Sequence, residues 1–558
     1  MRIAFTLTIA AVLAACAPPA PDASPDLVIT NARVFTADPK APWAEAVAVR
    51  EGRISAVGTT ADISASIGSA TRTIDAGGRL VVPGLTDAHM HLGQYGSACQ
   101  PLPPINLPYP GPTSVELLDA VKAAAADGDG WICGTMGPTV VEDVRNWRAA
   151  LDAVSPNRPV VVSASWGHPS LFNSAAMQAL GITDATPNPP GGSYDRDASG
   201  KLTGVARESA ETLIYRAMTK NLDPASIAPA VDAIAQRYLS WGVTDLHLMA
   251  TGPTLEQMTS ILSASKSPIS WTVYAWGYPA DPLDTIWNEA AAAKPPANAR
   301  IAGVKWVLDG TPIERGALLR EDYGDKPGWR GVSNYSDSDL DTILANALSR
   351  PGQTAFHVAG DGELARLIAA MEAKAPAADW QAKRIRIEHG DGLAPDLRER
   401  AKALGLVVIQ NPLHFDPSPM NPSAAAPTGT RYSVERSRAL FPMKSLVEAG
   451  IPLAIGSDAG SDGANPWLNL MLATIHPMNG PEALTREQAL AAYTAAGAFA
   501  EGKEADRGMI RAGMQADLAV LSQDVLTAPP PQLPATRSLL TIVDGKIVHE
   551  EPFARPPS

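Results

Sequence analysis

The chain has 558 residues and a formal net charge of −13, with 45% hydrophobic and 18% charged residues. This composition is typical of a globular protein, and the length suits either one large barrel with a satellite domain or several ordinary domains. Because 58 acidic residues outnumber 45 basic ones, the chain lacks the excess of basic residues typical of nucleic-acid-binding proteins. We therefore expect no nucleic acid partner.

Residues 1–15 resemble a lipoprotein signal peptide, which we do not expect to belong to the fold. A basic start, Met1–Arg2, precedes an apolar run that is too short to cross a membrane. The run ends in LAAC at Cys16, similar to a bacterial lipobox, in which the cysteine becomes the lipidated first residue; an ordinary secretory signal is the alternative. Residues 16–25 are expected to form a stiff, proline-rich tether. The sequence thus predicts a cell-envelope protein whose only contact with the membrane is a lipid anchor, facing the periplasm or sitting in the outer membrane if the host is Gram-negative.

The two ends of the mature chain carry β-strand patterns. In residues 26–82 and 505–558, short runs of alternating apolar and polar residues are separated by glycine or asparagine. The pair Asp544-Gly545 lies between two such runs and is a hairpin signal. We predict a small β-sandwich that is built from both chain ends around a larger domain.

The larger domain, residues 83–504, contains eight apolar strand candidates, and helical patterns intervene from the second onward. The candidates begin at Gly84, Gly242, Ser270, Ala302, Gln353, Arg384, Leu404 and Ile451. Strands that alternate with helices form a parallel sheet, and eight such units predict a TIM-like (β/α)₈ barrel of the α/β class. Residues 93–224 are too long for one crossover helix, and we interpret them as an insertion over the barrel mouth.

Side chains that can bind a metal follow or end several of these strands. They are His89, His91, Lys305, His357, His389 and Asp458. His89 and His91 share one face of a strand because alternate residues point the same way, and barrel active sites lie at the carboxyl ends of the strands. Any one of these residues could be an ordinary core or rim residue. The set, which includes four of the nine histidines, predicts a metal centre.

The order of the motifs carries a family resemblance. The strings PGLTDAHMH, VKWVLDG, FHVAGDGEL, RIRIEHGDGL, LAIGSDAG and GMIRAGMQADLAVL follow one another along the chain. In this order they resemble the amidohydrolase superfamily of metal-dependent hydrolases, specifically amidohydrolase family 3, which includes N-substituted formamide deformylases. The resemblance covers residues 26–550.

The resemblance implies a ligand set. His89 and His91 would hold the more buried metal, His357 and His389 the second one, and Asp458 would bind the first metal and move protons. Lys305 would be carbamylated and would bridge the two ions, which are expected to be zinc, with iron and manganese as alternatives. Glu208, in the insertion, is an alternative carboxylate near the site, and a site with one metal ion stays open.

The resemblance also implies the reaction. A metal-activated hydroxide would cleave the C–N bond of an amide, or of an N-formyl or N-acyl group, in a small molecule, and Asp458 would pass a proton to the leaving nitrogen. The alternatives are an isomerase or dehydratase on the same metal site and a non-catalytic surface binding protein.

Five residues outside the ligand set are also expected to have particular roles or states. His168, Glu208 and His414 are expected to line the substrate pocket, although for His168 a loop histidine bonded to backbone is an equal alternative. Cys99 and Cys133 are expected to be buried free thiols, with a disulfide bond between them in an oxidising compartment as the alternative. A homodimer stays open.

Overall fold

The computed structural model describes residues 24–92, 112–415, 436, 439–459 and 464–552, together with the backbone of residues 99–101. The signal peptide, Cys16 and nearly all of the tether lie outside the described residues. No helix in the described part of the chain is long and apolar enough to span a bilayer.

Both chain ends contribute strands to one β-sandwich. One sheet has the spatial order Arg53–Gly58, Ala46–Arg50, Leu27–Thr30 and Arg72–Asp75, flanked by the helix Thr60–Ser64. The other has the order Lys546–Glu550, Ser538–Val543, Leu518–Leu521, Leu80–Pro83, Arg33–Phe35 and Trp43–Ala44. In this second sheet Val81, from the N-terminal part, pairs antiparallel with Val520, from the C-terminal part. Apolar side chains of the two sheets form one core, which confirms the predicted sandwich.

The insertion has a six-stranded sheet of its own. Its spatial order is Gly192–Arg196, Leu202–Glu208, Ser170–Phe172, Val160–Ala164, Trp131–Met136 and Cys99–Pro101. Its helices are Ser114–Ala125, Pro138–Val141, Trp147–Val154, Ser174–Leu180 and Ser209–Thr219. The first of these helices begins with a capping box, in which Thr113 and Glu116 satisfy each other's backbone N–H groups. Strand Leu202–Glu208 runs directly into helix Ser209–Thr219, so Glu208 lies at a sharp junction.

The predicted barrel is confirmed. Its eight strands, called barrel strands one to eight below, are Leu85–Met90, Val243–Ala250, Ser270–Trp276, Ala299–Val307, Gln353–Val358, Arg386–His389, Val407–Gln410 and Leu453–Ile455. They pair in this order, all parallel. Each coincides with one of the eight candidates in the sequence. The strands are buried on both faces because helices cover the outside, so they read as nearly continuous apolar runs.

Helices of the barrel domain fill the outer layer. They are Pro224–Ser240, Leu255–Ala264, Thr285–Ala292, Asp337–Ser349, Asp361–Lys374, Ala377–Lys383, Pro395–Ala403, Lys444–Ala449, Pro466–Ile475, Arg486–Tyr493 and Ala495–Ala500, with short 3-10 helices at Pro412–Phe415, Gly480–Glu482 and Pro530–Ala535. The main apolar core of the protein lies between these helices and the barrel.

The ends of barrel strands one and eight meet where the barrel closes. The backbone N–H of Asp458 donates to the carbonyl oxygen of His89 at 2.8 Å. The carboxylate of Asp87 accepts from the backbone N–H of Ser457 at 2.8 Å and from that of His89 at 3.2 Å. These bonds place His89 and Asp458 side by side at the carboxyl end of the barrel.

One prediction about a cysteine is wrong. Cys133, in the insertion strand Trp131–Met136, is disulfide-bonded and not a free thiol. The sequence did not indicate this because two cysteines far apart in the chain form no recognisable framework, and only the folded sheet decides which strands become neighbours. The side chain of Cys99 lies outside the described residues.

Gly303 provides a test of the barrel packing. It lies in barrel strand four, where an added Cβ would sit 1.7 Å from the carbonyl oxygen of Gln353 in strand five. We expect Gly303→Ala to lower the free energy of unfolding by about 1–3 kcal/mol, because backbone must move to admit the methyl group. Denaturant unfolding measures this change. At the control position Gly480 a Cβ meets nothing within 4 Å, so Gly480→Ala should change the stability by less than about 0.5 kcal/mol; equal stability of the two variants contradicts the packing.

Candidate active site

Barrel strand one ends in two histidines that face Asp458. His89 is buried, and its Nδ1 lies 2.6 Å from a carboxylate oxygen of Glu388, which fixes the proton on Nδ1. Its Nε2 lies 3.3 Å from Oδ1 of Asp458 but without the angles of a hydrogen bond. His91 contacts Thr251 through Nδ1 at 3.2 Å and Asp458 through Nε2 at 3.2 Å. Both imidazoles therefore direct Nε2 toward the same carboxylate.

Asp458 follows barrel strand eight and lies at the centre of the site. Its Oδ1 faces His89 and His91, and its Oδ2 lies 3.2 Å from Nε2 of His414. Burial opposes ionisation of this carboxyl group, yet the neighbouring charge of His89 and the close ring nitrogens of His414, His89 and His91 hold its pKa well below the usual range. The residue adopts a φ of +52°, a region that non-glycine residues rarely occupy. Asp458 thus combines an ionised carboxylate with a strained backbone. Its side chain lies between His89 and His91 on one side and His414 on the other.

His357 and His389 end barrel strands five and six, and their ring centroids lie 4.4 Å apart. His389 donates from Nδ1 to Oδ1 of Asn411 at 2.8 Å, which leaves the lone pair on Nε2. Nε2 of His357 is buried and has no hydrogen-bond partner among the described residues. Burial is the main cause that lowers the pKa of both imidazoles well below the usual value, so both are neutral.

Lys305 lies near the end of barrel strand four and is almost completely buried. Burial lowers the pKa of its amine to about 8, although Glu388 and Asp458 partly offset this effect. Its Nζ lies 5.6 Å from the ring centroid of Trp276, at the end of strand three. A buried amine with a lowered pKa has a larger neutral fraction than a surface lysine, and the neutral form is nucleophilic.

The sequence did not identify the residues that orient these side chains through hydrogen bonds. Arg386 is fully buried and donates to both oxygens of Glu388, at 2.7 and 3.1 Å, and Glu388 holds His89. The signal was present, because Arg386 and Glu388 alternate in an otherwise apolar strand. No sequence pattern pointed to Asn411 or Thr251. Asn411 comes next to His389, and Thr251 next to His91, only in the folded chain.

The insertion contributes a second cluster beside the metal-binding residues. His168 lies with its ring centroid 6.0 Å from that of His357. Its Nδ1 lies 3.0 Å from Oε1 of Glu208, whose Oε2 accepts from Asn334 at 3.1 Å. Both oxygens of Glu208 are therefore engaged within this cluster. His168 is thus bonded to the side chain of Glu208, and these contacts do not support the alternative of a bond to backbone.

The histidine of this cluster, His168, is charged, whereas the candidate ligands His357 and His389 are neutral. Burial lowers the pKa of His168, but the nearby carboxylates of Glu208, Glu314 and Glu211 outweigh it and raise the pKa to about 10. Burial raises the pKa of Glu208, but His168 and the hydrogen bonds from His168 and Asn334 bring it below its usual value. His168 and Glu208 therefore form a buried ion pair.

The structure brings most of the sequence-predicted site residues together. Nitrogen and carboxylate oxygen atoms lie within 4.8 Å of one another in three relevant groups: His89, His91 and Asp458; His389, His414 and Asp458; His168, Glu208 and Glu314. His414 thus lies in the metal-binding group and not only in a pocket wall. The group that contains Glu208 includes none of the six predicted ligands, and His357 and Lys305 fall in none of the three groups.

These residues fit a divalent metal ion. The Nε2 atoms of His89 and His357 are buried without a hydrogen-bond partner in the described part of the chain, and a buried polar atom left unpaired is costly. Neutral imidazoles and an ionised carboxylate are the ligands that zinc, iron and similar ions prefer. Metal ions bound here would satisfy these two nitrogens and would offset the charge of Asp458.

A small, partly open depression lies between the ends of barrel strands two and three. It is lined by Ala250, Trp276, Tyr278, Thr254 and Arg216, among others. Trp276 connects it to the candidate metal-binding residues, since the ring centroids of Trp276 and His91 lie 5.9 Å apart.

Comparisons with known proteins agree with this geometry. Residues 72–549 match the model of the amidohydrolase family. The chain is 28% identical over 528 residues to the putative amidohydrolase YtcJ of Bacillus subtilis, covering 91% of this chain and 96% of that one. It is 27% identical to the N-substituted formamide deformylase of Arthrobacter pascens, covering 94% and 98% of the two chains.

The fold also resembles a solved structure, an uncharacterized metal-dependent hydrolase from Pyrococcus horikoshii. The TM-score is 0.68 at 20% identity, and the match covers 91% of this chain and 99% of the other. The likeness supports the barrel and sandwich architecture. The family match over most of its length establishes that the chain belongs to the amidohydrolase family, as a metal-dependent hydrolase of carbon–nitrogen bonds other than peptide bonds.

Proposed function

We propose that the chain hydrolyses the C–N bond of a small N-acyl or N-formyl amide. The observation that carries the proposal is the position of Asp458, whose carboxylate lies between His89 and His91 on one side and His414 on the other. A divalent metal ion held by this group supplies a water molecule of lowered pKa and polarises the substrate carbonyl.

Asp458 is the group that moves the proton. Water adds to the carbonyl carbon, the C–N bond breaks, and the products are a carboxylic acid and an amine. An amine leaves poorly as an anion, so its nitrogen must receive a proton as the bond breaks. Asp458 is ionised and its side chain keeps 17% of its surface accessible, so it can take a proton from the attacking water and give it to the leaving nitrogen.

The lining of the depression beside the site supports a substrate with an apolar substituent. Trp276 and Tyr278 line it in part, and their aromatic rings can contact such a substituent on one side of the scissile bond. The similarity to a protein named as an N-substituted formamide deformylase supports an N-formyl or N-acyl group on the other side of the scissile bond.

Lys305, as a carbamate, would help to hold two metal ions, which we expect to be zinc. Its neutral amine attacks carbon dioxide, an N–C bond forms while one C=O π bond opens onto oxygen, and the nitrogen releases a proton, so that the side chain becomes an anionic carbamate. The burial of Lys305 and the lowered pKa of its amine, about 8, favour this step.

The proposed location is the cell envelope, with a lipid on Cys16. The basic start, the apolar run and the LAAC string support this location. The disulfide bond at Cys133 also supports it, because disulfides persist in oxidising compartments.

A matched panel of amides and activated esters with the same acyl groups tests the reaction. The metal-loaded protein should hydrolyse at least one N-formyl or N-acyl amide. Asp458→Asn should lower kcat/KM for that amide by roughly 10²–10⁴-fold and much less for the ester, because a phenoxide departs with little protonation.

Metal content must be retained for this comparison to be valid. Asp396→Asn changes an exposed carboxylate on a barrel helix and serves as the control with unchanged rates. Equal losses on amide and ester would mean that Asp458 holds the metal and does not protonate the leaving group. If no amide in a broad panel is hydrolysed at full metal occupancy, the proposed reaction is wrong.

Replacement of Lys305 tests the proposed carbamate. Elemental analysis should find about two metal ions per wild-type chain and fewer in Lys305→Ala, with most activity lost. Acetate or propionate should partly restore activity to Lys305→Ala, whose cavity admits a carboxylate, but not to Lys305→Met, whose side chain fills that space. With ¹³C-bicarbonate, NMR should show a carbamate carbon in the wild type alone. Full metal content and rate in Lys305→Ala would contradict the carbamate.

The N-terminal peptide tests the location. Mass spectrometry of protein from a membrane fraction should find a lipid-modified Cys16 as the first residue. Cys16→Ala should release the protein from the membrane fraction without changing its specific activity. An unmodified peptide that retains Met1, or cleavage at another residue, would refute the lipid anchor.

A further inference from the structure

His168 lies beside the candidate metal-binding residues but has no role in the reaction proposed above. It comes from the insertion, not from the barrel, and its ring centroid lies 6.0 Å from that of His357. Its side chain is 17% exposed, so it is largely enclosed yet still borders open space. It therefore reaches the metal-binding residues from the side of the insertion.

One nitrogen of His168 is fixed and the other is free. Nδ1 donates to Oε1 of Glu208 at 3.0 Å. Among the described residues, no hydrogen-bond acceptor is found for Nε2. One nitrogen of His168 and one carboxylate oxygen each of Glu208 and Glu314 lie within 4.8 Å of one another. Two carboxylates this close favour the charged imidazole, in which both nitrogens carry a proton. The ring thus offers one N–H group that no described residue uses.

Glu208 is held firmly in place. Its Oε2 accepts from Nδ2 of Asn334 at 3.1 Å, and Asn334 is itself tied to barrel strand four, donating to the carbonyl oxygen of Val307 at 3.2 Å and to that of Leu308 at 2.7 Å. Glu208 also adopts a φ of +54°. Backbone conformations of this kind persist in non-glycine residues only where surrounding contacts enforce them, and they cluster at functional sites.

The same cluster does not suit a third metal ion. Oε2 of Glu314 already accepts from Nε1 of Trp166 at 3.0 Å and from the hydroxyl of Thr311 at 2.5 Å, and its Oε1 accepts from the backbone N–H of Thr311. Both oxygens of Glu208 accept hydrogen bonds as well. The carboxylates of Glu208 and Glu314 are therefore satisfied without a cation. The group that is left without a partner among the described residues is the Nε2–H donor of His168.

We propose that His168 is a further catalytic residue: its Nε2–H donates a hydrogen bond to the carbonyl oxygen of the substrate and stabilises the negative charge that develops there. Glu208 is the positioning residue, because it fixes the ring orientation. A fixed donor aimed at a developing oxyanion stabilises the transition state more than the ground state. This inference rests on the proposed amide hydrolysis.

Three substitutions of His168 test the inference on the amide that the wild type hydrolyses best. His168→Leu should lower kcat by roughly 10²–10³-fold, the usual loss for an oxyanion donor, with little change in KM. His168→Gln should recover part of the loss, because its amide nitrogen can occupy the position of Nε2. Glu208→Gln should lower kcat in the same direction, and the Glu208→Gln/His168→Leu double variant should be no worse than His168→Leu alone.

Ser199→Ala is the control in the same insertion. It removes an exposed hydrogen bond to Asp197 away from the His168 cluster, so it should keep kcat close to that of the wild type. Metal content should stay equal in all variants. Loss of metal in His168→Leu, or equal rates in His168→Gln and His168→Leu, would show a role for His168 other than oxyanion donation and would overturn the inference.

Binding of acetate separates this inference from the proposed reaction. Acetate carries the oxygen atoms of a hydrolysis product, and its affinity for the metal-loaded protein can be measured by calorimetry whether or not any amide is turned over. We expect His168→Leu to weaken acetate binding at least about tenfold and Ser199→Ala to leave it unchanged. If acetate binding depends on His168 but no amide is hydrolysed, only the reaction is wrong; if acetate affinity and kcat are unaffected by His168→Leu, the inference is wrong.

Discussion

A buried arginine inside the barrel holds the site together. Arg386 donates to both oxygens of Glu388, to Nδ1 of His247, to the hydroxyl of Tyr274 and to the carbonyl oxygen of Ala88. A cation removed from water is tolerated only when its donors are satisfied, and the removal of one partner leaves the other charge uncompensated. Glu388 in turn fixes Nδ1 of His89. The orientation of His89, a candidate metal ligand, therefore depends on the Arg386–Glu388 pair.

The ligands also depend on strained backbone at the strand ends. His389 and Asp458 have positive φ values, +70° and +52°, where each chain segment leaves its strand. A regular strand would continue to alternate its side chains across the sheet, whereas the turn at these residues aims them over the barrel mouth. The backbone bond between Asp458 and His89 and the hydrogen bond between His389 and Asn411 stabilise this arrangement.

The sequence predicted the barrel and the candidate ligands for the same physical reason. Parallel strands bring their carboxyl ends to one face, so residues such as His89 and Asp458, 369 positions apart, could be grouped without knowing any contact. Asn334 and Asn411 could not be found, because an amide in a loop has no pattern and its partner is set by the fold. The disulfide at Cys133 was missed for a related reason, since the neighbours of its strand lie far away in sequence.

The histidines of the site divide into two kinds, and the number of nearby carboxylates decides which kind each becomes. Burial lowers the pKa of His357, His389 and His168 alike. The first two have mainly cationic or neutral neighbours and stay neutral, which a metal ligand requires because it binds through a lone pair. His168 is surrounded by three glutamates that reverse the effect and keep it charged, which a hydrogen-bond donor requires. The barrel thus offers electron-pair donors and the insertion offers a hydrogen-bond donor, and the proposed reaction places the substrate carbonyl between the two.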